Sequence, residues 1–283
     1  MKKILTIGLL LITAATQKLS AQELELPQPS PWAQVSQKFG LAQATVTYSR
    51  PSMKGRTIFG SLVPYGEMWR TGANKATELK LEGNVAINGQ TLPAGAYSLF
   101  TIPGEKEWTV IINKNTELWG TGGYKQEEDA MRFQVKVQSH TSTESFTIGF
   151  SNIKDNSAVL EIYWETTMIS FELTNDFLEQ GKTNITEAIA AAENTMSLYN
   201  DAAEFYLDNN LDAKQALEWA KKSVAQRERY WNLFTLAKAY AKNGMNKEAI
   251  ETAEKALTLS NEAKNTGFSQ GIEKELNKWK SNK

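Results

Sequence analysis

Seven side chains able to grip a ligand crowd between positions 50 and 74: Arg50, Lys54, Arg56, Glu67, Trp69, Arg70 and Asn74. They lie in the stretch Tyr48 to Asn74, YSRPSMKGRTIFGSLVPYGEMWRTGAN, punctuated by Gly55, Gly60, Gly66 and Gly72. Glycines let a backbone fold closely on itself, and guanidinium groups present fixed forks of donors that match carboxylates, phosphates and sugar oxygens. Trp69, with Tyr65 and Tyr97, offers ring faces for stacking. Two readings are open. The motif is a site for an anionic or hydroxyl-rich ligand, or it is an internal brace. In the brace, the arginines satisfy the carbonyls of an irregular loop and pair with Glu67 or Glu78.

Other routes to chemistry are narrow. His140 is the single histidine, in the polar run QSHTSTES, and reads as an exposed turn residue. A histidine metal site lacks partners, and a Ser-His-Asp relay would have to be built on it without a GxSxG element. The chain has no cysteine, which excludes disulfides, thiol catalysis and cysteine zinc sites. The glycines of Trp119–Tyr124, WGTGGY, lack the strand and helix of a nucleotide-binding loop and read as a turn with unusual backbone angles. No catalytic residue, cofactor or metal site is assigned. Carboxylates remain: Glu67 and Glu78 in or near the motif, and Glu127, Glu128 and Asp129 in a run that reads as a solvated loop or helix start. Glycoside hydrolysis would need two of them facing each other across a cleft. Trp108, Trp164 and Phe171 fall on strand periods and read as core.

The elements that must position these residues follow from periodicity. From Ala44 to Leu173 apolar residues alternate, as in Val46/Tyr48, Leu79/Leu81, Trp108/Val110/Ile112, Phe146/Ile148/Phe150, Leu160/Ile162/Trp164 and Ile169/Phe171/Leu173. Asn88-Gly89 suits a tight hairpin turn and Lys154–Ser157 a polar one. About nine short strands at this spacing predict an antiparallel β-sandwich or a partly closed barrel. After Gly181 the period becomes helical, with caps expected at Asn184 (Glu187 three residues on) and Asp212 (Gln215 three residues on). Leu233, Leu236, Ala237, Tyr240, Gly244, Ala249, Ala253 and Ala256 fit a tetratricopeptide spacing. An earlier copy runs through Tyr206, Asn210, Ala216, Ala220 and Val224. Flanking helices at 184–195 and 266–280 would close the stack. The expected organisation is α+β in two parts, a β-rich domain at 22–181 and a helical repeat domain at 182–283.

The N-terminus reads as an export signal over residues 1–21. Lys2 and Lys3 precede the apolar run Ile4–Ile12, and Leu19-Ser20-Ala21 ends in a small residue before Gln22. That run is shorter than the about 20 residues a membrane span needs. Without a cysteine there is no lipid attachment there, so a periplasmic or secreted protein is expected. Cleavage removes Lys2, Lys3 and Lys18 and no acid, leaving 28 of the 31 basic side chains against 32 acidic ones. Nucleic-acid partners need a concentrated basic stripe, which this balance does not offer.

The motif text also resembles the secreted domain-of-unknown-function 2911 family. The likeness rests on Ser30-Pro31, Tyr48–Pro51, Lys54–Gly60, Leu62–Asn74, Leu92–Gly104 and Trp108–Lys114, completed by Trp119-Gly120 and Tyr124. The family pattern often carries an acid after the Asn, where Lys75 stands here. The resemblance implies export, a compact β-rich domain and a repeat-like tail, and no known activity. The expected function is a non-enzymatic envelope or secreted protein. Its motif would take a small ligand or glycan, and its helical groove a protein or peptide partner. The alternative is a carbohydrate-binding or carbohydrate-hydrolysing domain.

Overall fold

A computed structural model describes residues 26–192 and 195–281, so the expected signal at 1–21 lies outside the described residues. The alternating segments form strands β1 (Trp32–Phe39), β2 (Ala42–Ser49), β3 (Thr77–Glu82), β4 (Val85–Ile87), β5 (Gln90–Leu92), β6 (Gly95–Ile102), β7 (Glu107–Asn113), β8 (Asp129–Lys136), β9 (Gln138–Ser151) and β10 (Ser157–Thr174). They make two antiparallel sheets, of order β1-β2-β3-β6-β7-β8 and β5-β4-β10-β9. One core joins the sheets: Val46, Leu79, Leu99, Trp108, Val110 and Ile112 of the first bury against Phe146, Ile148, Leu160, Ile162, Trp164 and Phe171 of the second. The two sheets do not close, so the sandwich is the architecture and the barrel is not.

Two departures from the sequence reading have physical causes. Strand β1 is missing from it because β1 is an edge strand whose inward residues are only Ala33, Val35 and Phe39. The runs at 160–164 and 169–173, read as two strands, are one strand, β10. Their inward positions change from even to odd, and the register against β9 slips on either side of Glu165, whose φ is +55°. A slip of register flips the face that a side chain meets, which accounts for the change of phase. The Asn88-Gly89 hairpin is as expected, with both residues at positive φ between β4 and β5.

Six helices follow: α1 (Leu178–Ala191), α2 (Met196–Asp208), α3 (Ala213–Gln226), α4 (Tyr230–Lys242), α5 (Asn246–Glu262) and α6 (Thr266–Ser281). Asn184 is not a cap. It sits inside α1, and only three residues separate α1 from the end of β10 at Thr174. Asp212 does cap α3, accepting from the amides of Lys214 and Gln215. Small residues lie where helices meet: Ala216, Ala220, Ala237, Ala249, Ala253 and Ala256 are fully buried, and Gly244 makes the α4–α5 turn at φ +76°. Among the described residues no helix is long and apolar enough to cross a membrane.

Tyr48 ties the two sheets together at the inner end of β2. Its hydroxyl donates to the Ile148 carbonyl at 3.0 Å and accepts from the Ile148 amide at 2.9 Å. Burial raises the phenol's pKa, against the opposing pull of the Ile148 bond and the Arg50 charge. Tyr48→Phe leaves both Ile148 groups unpaired in the core, and a loss of about 1–3 kcal/mol in urea denaturation is expected. Because the folded phenol holds its proton more tightly than the unfolded one, its contribution is whole below about pH 10 and fades as pH rises through the folded value. The variant's stability curve should lack that part of the alkaline decline.

Candidate functional site

The motif begins where β2 leaves its sheet. Past Ser49 the chain crosses to the opposite sheet and runs along β9. The Phe146 amide donates to the Pro51 carbonyl at 2.9 Å, the Met53 amide donates to the Glu144 carbonyl at 2.8 Å, and Ser52 bridges Ser145. Arg50 secures this corner, donating from Nε to the Phe146 carbonyl at 3.0 Å and from Nη2 to Thr147 Oγ1 at 2.7 Å. Arg56 folds back on the turn it follows, with Nε on the Met53 carbonyl and Nη2 on the Ser52 carbonyl. Glu144 fixes the Lys54 amide through its carboxylate at 2.9 Å, while its carbonyl also accepts from Trp164 Nε1.

The second half of the motif returns to the first sheet. Beyond the start of β3 the position beside β6 is vacant, and Trp69 fills it through two backbone bonds with Thr101, of 2.7 and 2.9 Å. The Trp69 ring enters a cluster with Phe146 at 5.0 Å, Phe59 at 6.0 Å and Trp108 at 6.2 Å, and lies nearly parallel to Trp164 at 6.1 Å. Its Nε1 donates to the Gly72 carbonyl at 3.0 Å. The following turn is strained: Thr71 and Asn74 have φ of +53° and +60°, and Gly72 +149°. A β-branched residue at positive φ is a true outlier. Thr71 is held there, fully buried, by Thr101 Oγ1 at 3.0 Å and by a bond from Thr77 Oγ1 to its carbonyl. Arg70 Nη1 closes the turn on the Asn74 carbonyl at 2.8 Å, and Asn74 Nδ2 reaches Ser30 and Ser49.

Between the two halves opens a cavity of about 360 Å³. Lys54, Arg56 and Arg70 stand in its wall, with Trp69, Trp164, Leu62, Val63, Gly72 and Ala73. Of the seven residues expected at a site, the structure therefore brings four together. Arg50 is a brace between the sheets, and Asn74 ties the turn to Ser30 and Ser49. Glu67 is exposed, outside the wall, and has no polar partner among the described residues.

Several expectations need correction. The arginines pair with carbonyls and a hydroxyl rather than with Glu67 or Glu78, and Glu78 lines a different hollow beside Trp32. Tyr97 is buried with its hydroxyl on the Pro93 carbonyl, and Tyr65 packs over Gly60, so neither walls the cavity. His140 lies within β9, half-buried, its ring stacked 4.3 Å from Tyr163, instead of in an exposed turn. Glu127 and Glu128 do sit in a short helical turn, but Asp129 opens β8 and accepts from Tyr124, Arg132 and Asn113.

Sequence reasoning missed Trp164, which reads as core and is 1% exposed, yet forms the cavity floor. It also missed Pro29, Ser30 and Leu62 in the wall. The one signal for Trp164 was the phase change that follows it in β10. A family model described as "Protein of unknown function (DUF2911)" matches residues 30–173. No curated protein and no solved structure matches the chain.

The strained turn sets a test. A β-carbon on Gly72 would stand 3.1 Å from the Ser49 carbonyl oxygen and 3.2 Å from Thr77 Oγ1, at a φ unfavourable to any L side chain. Gly72→Ala is expected to lower stability by about 1–3 kcal/mol in chemical denaturation, and Gly122→Ala, which meets open space, should be nearly silent.

Proposed function

The chain belongs to the DUF2911 family, whose description assigns no activity, and from that premise we propose an exported, non-enzymatic binding protein of the envelope or exterior. In this reading the cavity under the Tyr48–Asn74 motif is its small-ligand site, and the helices form a tetratricopeptide-like stack for a protein or peptide partner. The cavity carries the proposal: residues from both halves of the motif converge on one concavity of a size that suits a small ligand. Strain of this kind clusters at functional sites.

The helical part supports the second half of the reading. Helices α2, α4 and α6 together line a depression of about 320 Å³, bordered by Leu207, Asp208, Lys238, Lys242, Glu275 and Trp279. Mixed charge around an apolar floor suits a peptide better than a lipid or a polyanion. Carbohydrate hydrolysis finds little support. Its two carboxylates would have to face each other over the cavity, and Glu67 and Glu78 both lie outside that wall.

Two experiments test this. Expression with the full leader should yield an exported chain whose N-terminal sequence begins at Gln22, and a chain that keeps Met1 and stays in the cytoplasmic fraction would contradict the export reading. A thermal-shift screen of the mature chain against glycan and peptidoglycan fragments should give ligands that raise the melting temperature by mass action. Ala73→Phe enlarges a residue of the cavity wall and removes none of its charges, and the shift should vanish in a variant that remains folded. A shift that persists in Ala73→Phe places the ligand elsewhere.

A further inference from the structure

Resting on the cavity reading above, we propose that the ligand is a small organic anion. Its carboxylate, phosphate or sulfate group would lie against Lys54 and Arg70, and its apolar body against Trp69, Leu62 and Val63. The first reason is sign. Lys54, Arg56 and Arg70 all stand in the wall, no carboxylate does, and none of the three takes part in an ion pair among the described residues. The full chain carries slightly more acid than base, and the nearest carboxylate, Glu144 on the Lys54 amide, is one against three cations, so the wall is a local excess of positive charge.

The second reason is the inventory of donors. Arg70 spends only Nη1 on the fold, Arg56 spends Nε and Nη2, and the Lys54 ammonium spends none. Arg70 Nε and Nη2, Arg56 Nη1 and the Lys54 ammonium remain for a ligand. Lysine and arginine have no acceptor to offer. A neutral sugar presents as many hydroxyl donors as acceptors, and its donors would find only the hydroxyls of Ser30 and Ser52 among the polar side chains of the wall. An anion, which only accepts, matches this wall.

The third reason is volume and polarity. A bare inorganic ion would leave most of about 360 Å³ as water against Trp69, Trp164, Leu62 and Val63. The backbone that carries the cations is set beforehand: Lys54, Thr71 and Asn74 hold positive φ, and the amide of Lys54 is tied to Glu144. Arg56 and Arg70, already held by carbonyls, cost little further ordering when an anion arrives, and only the Lys54 side chain has to be ordered by it.

Phenyl phosphate and D-glucuronate serve as organic anions, D-glucose as the neutral counterpart, and inorganic phosphate as the bare ion. Each is titrated into the mature chain while the indole N–H signals of the tryptophans are followed by NMR. The organic anions should move the Trp69 signal, identified in a Trp69→Phe control, and bind at least tenfold more tightly than glucose or inorganic phosphate. Affinity should fall with added salt. Lys54→Gln removes a charge whose side chain makes no bond in the fold, and should weaken the organic anions about tenfold with the spectrum otherwise intact. Glucose binding equally well, and equally in Lys54→Gln, overturns the anion assignment while leaving a ligand cavity in place. Inorganic phosphate binding as tightly as phenyl phosphate removes the apolar body from the proposal. Failure of both organic anions to bind overturns the proposal, and whether the cavity reading falls with it is decided by the Ala73→Phe screen.

Discussion

The ring cluster around Trp69 is the contact on which the other features of the β-domain depend. Trp69 comes from the motif, Trp108 from β7 of one sheet, and Phe146 and Trp164 from β9 and β10 of the other. Phe59 adds a second ring from the motif and meets Trp69, Trp108 and Trp164. Each aromatic pair adds about 0.5–1.5 kcal/mol beyond the area it buries. The cluster thus joins both sheets and the motif at one point. In a chain without disulfides, burial of this kind has to do what cross-links do elsewhere.

The bracing of the motif and the wall of the cavity use the same residues. A loop as long as that between β2 and β3 carries many backbone polar groups that need partners. Arg50 and Arg56 supply several of them, and the corner along β9 supplies more. What this order secures is a strained turn, with Thr71 and Asn74 at positive φ, that holds Arg70 over the cavity. Strain persists only where the surroundings over-determine it, and the buried bonds of Thr71 to Thr101 and Thr77 do that. Arg56 and Arg70 keep donors beyond those spent on the bracing, and the Lys54 ammonium spends none on it, so the ligand proposed above would be held without breaking a bond of the fold.

The helical half follows a different rule. Its helices meet through buried alanines that allow close approach, with Leu233, Leu236, Ile250, Ile272 and Leu276 filling the space between them. It joins the sandwich over only three residues between β10 and α1, and Asn175 at that joint donates to the Asn84 carbonyl and accepts from the Leu41 amide. Helices α2, α4 and α6 line one shared hollow, with Asp208, Lys238, Lys242 and Glu275 beside Leu207 and Trp279.

Local rules made much of this legible in the sequence. Alternation and turn chemistry were enough for an antiparallel two-sheet domain followed by helices, because side-chain period and backbone geometry are short-range properties. The Asn88-Gly89 hairpin and the Asp212 cap were visible for the same reason. Composition and order in the motif marked Lys54, Arg56, Trp69 and Arg70 as belonging together. Only the tertiary structure separated Arg50, Asn74 and Glu67 from them, since a guanidinium bound to a carbonyl and one facing a cavity have the same letter. Only the fold could bring Trp164 beneath the motif, because it lies nearly a hundred residues downstream on a strand whose register slips immediately after it. Periodicity tells which face of a strand is buried, while the position of that face against another sheet is set by long-range packing, and the cavity exists only through that packing.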